Sequence, residues 1–317
     1  MSEPVAYLSG RFVPLSQAQI GCWDSGFVFG ATVTDFCRTV RGQLFDFSAH
    51  AQRLCRDAHS IGIPFTETSQ DLSEIATSLL NQNGLLSRKD SDSFEWAIIT
   101  FATPGPISFY TAHLENRPIS RPTLGMHCFP LPFDRYCPIL QHGADLVAIG
   151  PIEPFGEIPG GLINPMVKHR SRLHWWLADQ KLRTLPERLP HSLAILQTTT
   201  GHLTETAIAT VAFVIDQTLT IPPSNMILDG IMLQHVRSLA QECGIPICER
   251  PIHAEECRNR VQEALLVGTA FGIAGVSRLL GTPLPHPGPI TTRLMRAWTD
   301  RIGLDMRQQI LDAAPRS

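Results

Sequence analysis

The apolar residues of this chain fall in short runs, none approaching the length of a membrane span, and their rhythm changes near a Pro-rich stretch at residues 130–140. Before that stretch, AYLSGRFVPL reads as a short hairpin around a Ser-Gly turn, and LFDF, 44–47, as a further strand. Ser48 is placed to cap a helix over AHAQRLCRDAHSIG, which Gly62 ends, and Ser69 to cap a second over DLSEIATSLLNQNG. EWAIITFA, 95–102, and LGMHCFPLPF, from 124, have the apolar, β-rich character of strands. Beyond residue 140 the elements alternate: a helix over 171–186, strands at SLAILQ and TVAFVID, a helix at GIMLQHVRSLAQECG, strands at PICERPI and EALLVGT, and a closing helix after Pro289. An α+β or mixed α/β fold without repeats follows. At 317 residues the chain can support two cores. We therefore expect a domain over 1–130, a connection over 131–140 and a domain over 141–317.

Charge narrows the ligands. The net charge is −3 and the basic residues are dispersed rather than gathered into a stripe with aromatics, so small molecules rather than nucleic acid are expected partners. The first twenty residues have neither a secretory nor a transit pattern, which gives a cytoplasmic expectation. Eight cysteines show no CxxC pair and no zinc spacing; they read as free or buried thiols, and no metal site is expected.

Basic composition singles out one residue. The chain has 23 arginines and three lysines, Lys89, Lys168 and Lys181. Lys89 lies in the polar stretch SRKDSDS and Lys181 on a helix face, whereas Lys168 follows the apolar LINPMV. A lysine beside a desolvating wall can lose its proton and act as an amine, which arginine cannot. Glu205 stands at the mouth of an apolar strand, as a partner for a protonated ring nitrogen or an arginine, or as a solvated turn residue. In LDGIMLQ a glycine opens a helix, so the N–H groups of Ile231 and Met232 can face an anion; Gly268 and Thr269 end a strand with a hydroxyl and close glycines. Arg53 follows His50 by one helical turn and suits bidentate phosphate contact. DSGFVFGATVTDF, 24–36, is a Gly-punctuated loop suited to lining a pocket, and Trp175 and Trp176 read as helix packing. No P-loop is present, and no GxGxxG follows a strand.

Taken in order, YLSGRFVPLSQAQI, DSGFVFGATVTDFCRTVRGQLFDFSAHAQRL, the lysine of MVKHRSRL, TTGHLTETAIATVAFV, TIPPSNMILDGI and EALLVGTAFGIAGV resemble the class IV aminotransferase family. These are the fold type IV pyridoxal-phosphate enzymes, which include branched-chain aminotransferases, D-amino-acid aminotransferases and aminodeoxychorismate lyases. The resemblance implies a small N-terminal α+β domain, a larger C-terminal domain with a barrel-like sheet, the cofactor between them, and a homodimer. It makes Lys168 the lysine that forms a Schiff base with pyridoxal 5'-phosphate and shuttles the substrate proton, and Glu205 the carboxylate beside the pyridine nitrogen. Arg53, Ile231, Met232, Gly268 and Thr269 become phosphate-side residues, and Thr34, Leu173 and Ala270 substrate-side residues. The implied reaction is transamination between a branched-chain-type or related amino donor and a keto acid. A lyase using the same lysine and a cofactor-binding protein with little turnover are the alternatives. The family's LPGITR reads LDGIMLQ here, which places the Asp229 carboxylate near the phosphate residues; Thr34, Leu173, Thr210 and the TPG of 103–105 also depart from the family pattern.

Overall fold

The computed structural model describes residues 3–84, 94–151 and 164–313. Lys89, and Leu162 and Ile163 of the apolar run before Lys168, lie outside the described residues. Contacts divide the chain into two units: Met1–Leu131 with Val167–Arg172, and Pro132–Met166 with Leu173–Ser317. The lysine segment thus groups with the N-terminal residues, although 141–317 is read from the sequence as one stretch.

The first unit is built on β1 (Val5–Leu8), β2 (Arg11–Pro14), β3 (Val33–Val40), β4 (Gln43–Leu44), β5 (Trp96–Thr103) and β6 (Thr123–Pro130), in the order β2-β1-β6-β5-β3-β4. Every neighbouring pair is antiparallel. Its helices are α1 (Ser25–Val28), α2 (Phe47–Ser60), α3 (Ser69–Gln82) and α4 (Ser108–Thr111). Period-two alternation puts Val33 and Cys37 of β3 on one face. There they join Phe47, Ala51, Leu54 and Ala58 of α2, Leu72, Ala76 and Leu79 of α3, and Val167 from the lysine segment in one apolar core.

Two helix starts differ from the sequence expectation. The strand at 44–47 stops at Leu44, because Asp46 turns left-handed (φ 50°) and α2 begins at Phe47; Asp46, not Ser48, is the N-cap, with no side-chain bond. Phe47 is drawn into the core, which decides the boundary over the polar Ser48. For α3 the cap is Thr68 rather than Ser69: its hydroxyl accepts from Asp71 N–H while the Asp71 carboxylate accepts from Thr68 N–H, a reciprocal capping box.

The second unit opens with α5 (Phe133–His142), where an irregular Pro-rich connection is expected from the sequence. Phe133, Tyr136, Ile139 and Leu140 share its buried face, and that burial outweighs Pro138 within the helix. There follow β7 (Ala144–Ile149), α6 (Leu173–Arg183), β8 (Ser192–Gln197), β9 (Leu203–Thr206), β10 (Thr210–Ile215), β11 (Thr218–Ile221), α7 (Ile231–Glu242), β12 (Ile247–Glu249) and α8 (Ala254–Arg260). The unit ends with β13 (Glu263–Gly268), β14 (Gly272–Leu279), β15 (Thr282–Pro283), α9 (Pro289–Ile302) and α10 (Met306–Ala313). The sheet order is β12-β11-β10-β13-β14-β7-β8-β9, with β15 on β14. It mixes parallel pairs, β11 with β12, β14 with β7 and β7 with β8, into an otherwise antiparallel sheet. TVAFVI of β10 is buried along its whole length, as a central strand covered on both faces requires. Trp175 packs against the small core of Ile149, Ala178 and Leu196, whereas Trp176 stays exposed, so only one of the two tryptophans is a packing residue.

All eight cysteines are free thiols. No helix among the described residues is long and apolar enough to cross a membrane. Thr68→Ala should lower stability by about 1 kcal/mol. Denaturant unfolding checks this, and an unchanged midpoint would mean that the capping box contributes nothing.

Candidate active site

Helix α2 carries a polar stripe beside its apolar one. His50, Arg53 and Asp57 are spaced three and four apart, so they line one side of the helix, and all are buried. Burying charge is tolerated only with partners. Asp35 supplies them from β3, since alternation turns it to the same face as Val33 and Cys37. Arg53 Nε donates to Asp35 Oδ2 at 2.8 Å and Arg53 Nη2 to Oδ1 at 2.9 Å, while His50 Nδ1 lies 2.7 Å from Oδ1. Burial alone would raise the pKa of Asp35, but the Arg53 guanidinium and His50 outweigh it and hold the carboxyl well below the usual range.

The lysine segment lies along β3. Thr34 N–H donates to Lys168 O at 2.8 Å and Arg170 N–H to Thr32 O at 2.8 Å, on either side of a bridge between Val33 and His169. Ser171 Oγ donates to Gly30 O at 2.7 Å. Gly30 has φ +66°, and a Cβ there would lie 2.8 Å from Ser171 Oγ, so both the turn and the close approach call for glycine. On the helix side, Lys168 N–H donates to Asp57 Oδ2 at 2.9 Å. Thr34 sits beneath this segment with its hydroxyl engaged twice, donating to Thr100 O at 3.0 Å and accepting from Arg170 Nε at 3.2 Å. Of the residues singled out in the sequence, the first unit therefore brings together Lys168, Arg53 and Thr34.

In the second unit Glu205, Ile231, Met232 and Gly268 gather through neighbouring strand ends. Glu205 is on β9, and one of its oxygens accepts from Leu228 N–H at 3.4 Å, immediately before the start of α7. Gly230 is the N-cap of α7 and makes no side-chain cap bond, so Ile231 and Met232 occupy the first turn, where N–H groups have no intrahelical acceptor. Thr210, which pairs with Val267, lies beside Gly230: a Cβ added there would sit 3.9 Å from Thr210 Oγ1. Gly268 closes β13 so tightly that an added Cβ would be 3.0 Å from Ile208 O, and Thr269 and Ala270 form the turn into β14. Leu173 begins α6 and is 69% exposed.

Asp229 does not carry an uncompensated charge. Arg237, two turns along α7, donates to it at 2.6 Å, and Gln234 Nε2 does so at 3.1 Å. Asp35, His50 and Asp57 were not singled out from the sequence. The readable signal was spacing, because each is a charged or polar residue at a position where strand or helix periodicity demands burial.

The class IV aminotransferase resemblance is shown by comparison with known proteins. The family model Amino-transferase class IV matches residues 158–279. A D-alanine aminotransferase from Staphylococcus aureus is 24% identical over 92% of this chain and 95% of its own length. A putative branched-chain-amino-acid aminotransferase from Methanocaldococcus jannaschii is 26% identical over 93% of this chain and 95% of its own. Among solved structures, a branched-chain aminotransferase from the thermophilic archaeon Thermoproteus uzoniensis, with norvaline, is 23% identical, with a TM-score of 0.76 over 99% of this chain and 97% of that one. The fold is that of the fold type IV aminotransferases.

Removing Asp35 strands two buried groups. Asp35→Ala should cost roughly 3–5 kcal/mol at neutral pH. The folded pKa of Asp35 lies below the unfolded value near 3.9, so its contribution is fully present above about pH 4 and is lost as the pH falls further. Urea unfolding of wild type and variant should therefore differ by a constant amount above that pH and converge below it. A gap unchanged into acid would contradict the ion pair.

Proposed function

We propose that this chain, which carries the class IV aminotransferase match, is a pyridoxal-phosphate-dependent aminotransferase in which Lys168 is the reacting amine. The observation that carries the reading is the hold on the Lys168 peptide, fixed through its N–H by Asp57 and through its carbonyl by Thr34, beside a helix that also presents Arg53. Bound pyridoxal phosphate supplies an aldehyde carbon that condenses with amines and a ring that withdraws electrons from the carbon to be deprotonated. The residues present fit that group. The first-turn N–H groups of Ile231 and Met232 suit a phosphate, whereas Arg53 has its Nε and Nη2 engaged by Asp35. Asp229 is engaged by Arg237 and so does not oppose an anion.

The roles of the chain's own groups follow from their chemistry. The start of α7 would hold the phosphate. Glu205 would hold a proton on the ring nitrogen of the cofactor, keeping the ring electron-poor. Lys168 Nζ takes the proton from the α-carbon of the amino donor and returns it during transfer. Thr34 has already spent its hydroxyl on Thr100 and Arg170, and Leu173 and Ala270 offer no charge, which supports an apolar amino acid of branched-chain type as donor and a keto acid as acceptor. The same reading makes the protein a homodimer, with the exposed Phe27 and Phe29 supplying apolar surface for a second copy.

The test combines purified protein, pyridoxal phosphate and separate L-leucine, L-valine and D-alanine donors. A visible band should bleach with the productive donor and return with a keto acid. Lys168→Ala should lower turnover by roughly 10²–10⁴-fold, and Glu205→Gln should slow proton removal without releasing the cofactor. Sustained formation of a keto product well beyond one equivalent per site without any acceptor, at a rate unaffected by added keto acid, would contradict amino transfer and favour a lyase.

A further inference from the structure

An acid is buried at the point where the lysine segment meets α2. Asp57 is 2% exposed, and burial pushes its carboxyl above the usual range, so the fold keeps a charge there at a cost. Nothing about the helix requires a carboxylate: Leu54 and Ala58, its buried neighbours, are apolar. The two oxygens are divided between different partners. Oδ1 accepts from Arg56 Nε at 3.1 Å and Nη2 at 2.9 Å, a side chain 59% exposed, so that contact is screened by water. Oδ2 accepts from the backbone N–H of Lys168, 111 residues along the chain. The carbonyl of the same residue is taken by Thr34 of β3, and Val167, the residue before it, is packed in the core with α2. The peptide groups flanking the Lys168 Cα are thereby fixed to two different elements.

We propose that Asp57 is a positioning residue for Lys168: the Oδ2 to N–H bond sets the lysine Cα and hence the arc that Nζ can reach. The inference rests on Lys168 being the reacting amine. A lysine side chain has four rotatable bonds, so its reach is defined only if its root is fixed, and a displacement of about 1 Å at a reacting group can cost about 10²-fold in rate. Asp57 touches no reacting atom; it acts through the backbone of another residue.

The test uses the full-length protein and three variants. Asp57→Asn keeps an oxygen that can accept from Lys168 N–H but loses the charge. Asp57→Leu and Asp57→Ala remove the acceptor, one preserving bulk and one not. Two quantities are measured: hydrogen exchange of backbone amides at 167–172, and the rate at which the Lys168 peptide gains mass from pyridoxal phosphate followed by borohydride. Both acceptor-less variants should exchange faster at 167–172 while β5 remains protected, and should be labelled about 10–100-fold more slowly. Asp57→Asn should stay within a few-fold of wild type in both measurements. Wild-type labelling rates in Asp57→Leu and Asp57→Ala would overturn the inference, as would Asp57→Asn being as slow as Asp57→Leu, since the charge and not the acceptor would then matter. If the wild type takes up no label at Lys168, the reading of that lysine fails first and the positioning role falls with it.

Discussion

The buried polar stripe along α2 is the constraint on which the rest of the first unit depends. A helix covering an antiparallel sheet normally presents apolar residues throughout its contact, and Phe47, Ala51, Leu54 and Ala58 do so. Alongside them His50, Arg53 and Asp57 are buried too, and each has a partner from another element. Charges in this position are stabilising only as complete sets, because removing one member leaves the others without water or a counter-charge. β3 must therefore bring Asp35 to the helix, and the segment around Lys168 must bring a backbone N–H. The register of β3, the course of residues 167–172 and the placement of Arg53 are consequences of satisfying one helix.

The second unit reaches a comparable result with little charge. Its candidate residues sit where strand ends and a helix start crowd together, and the fit is made by small residues: Gly230 as an uncapped helix start and Gly268 closing on Ile208. Asp229 looks like an obstacle in the sequence, since a carboxylate replaces an uncharged residue beside a prospective anion site. The fold answers it locally with Arg237, which bridges Asp229 and Glu249. Whether a lone carboxylate repels an anion depends on what stands two turns away on the same helix, and a linear motif does not contain that information.

Much of this was legible in the residues. Scarcity of lysine isolated Lys168, and the Gly-led helix start isolated Ile231 and Met232. The helix at 173–183 and the strands at 192–197 and 210–215 lie where periodicity puts them. What was missed shares a physical cause. Asp35 interrupts an apolar strand pattern and Asp57 an apolar helix face, and a pattern of hydrophobicity treats a charge as a break rather than as a buried group awaiting a partner distant in sequence. α5 was hidden for a related reason: its prolines suggest an irregular connection, and only the spacing of Phe133, Tyr136, Ile139 and Leu140 reveals the buried face. The cap of α2 went to Asp46 because burial of Phe47 fixed the helix start, a tertiary effect that no capping preference contains.

The central claim is that the amine of Lys168, rooted between β3 and α2, is the group that meets the cofactor. A crystal structure of the protein grown with pyridoxal phosphate tests it most directly. The account predicts electron density continuous from Lys168 Nζ into the cofactor ring, with Asp57 Oδ2 still on the Lys168 N–H. Cofactor density lying apart from Lys168, with that side chain directed elsewhere, would contradict it.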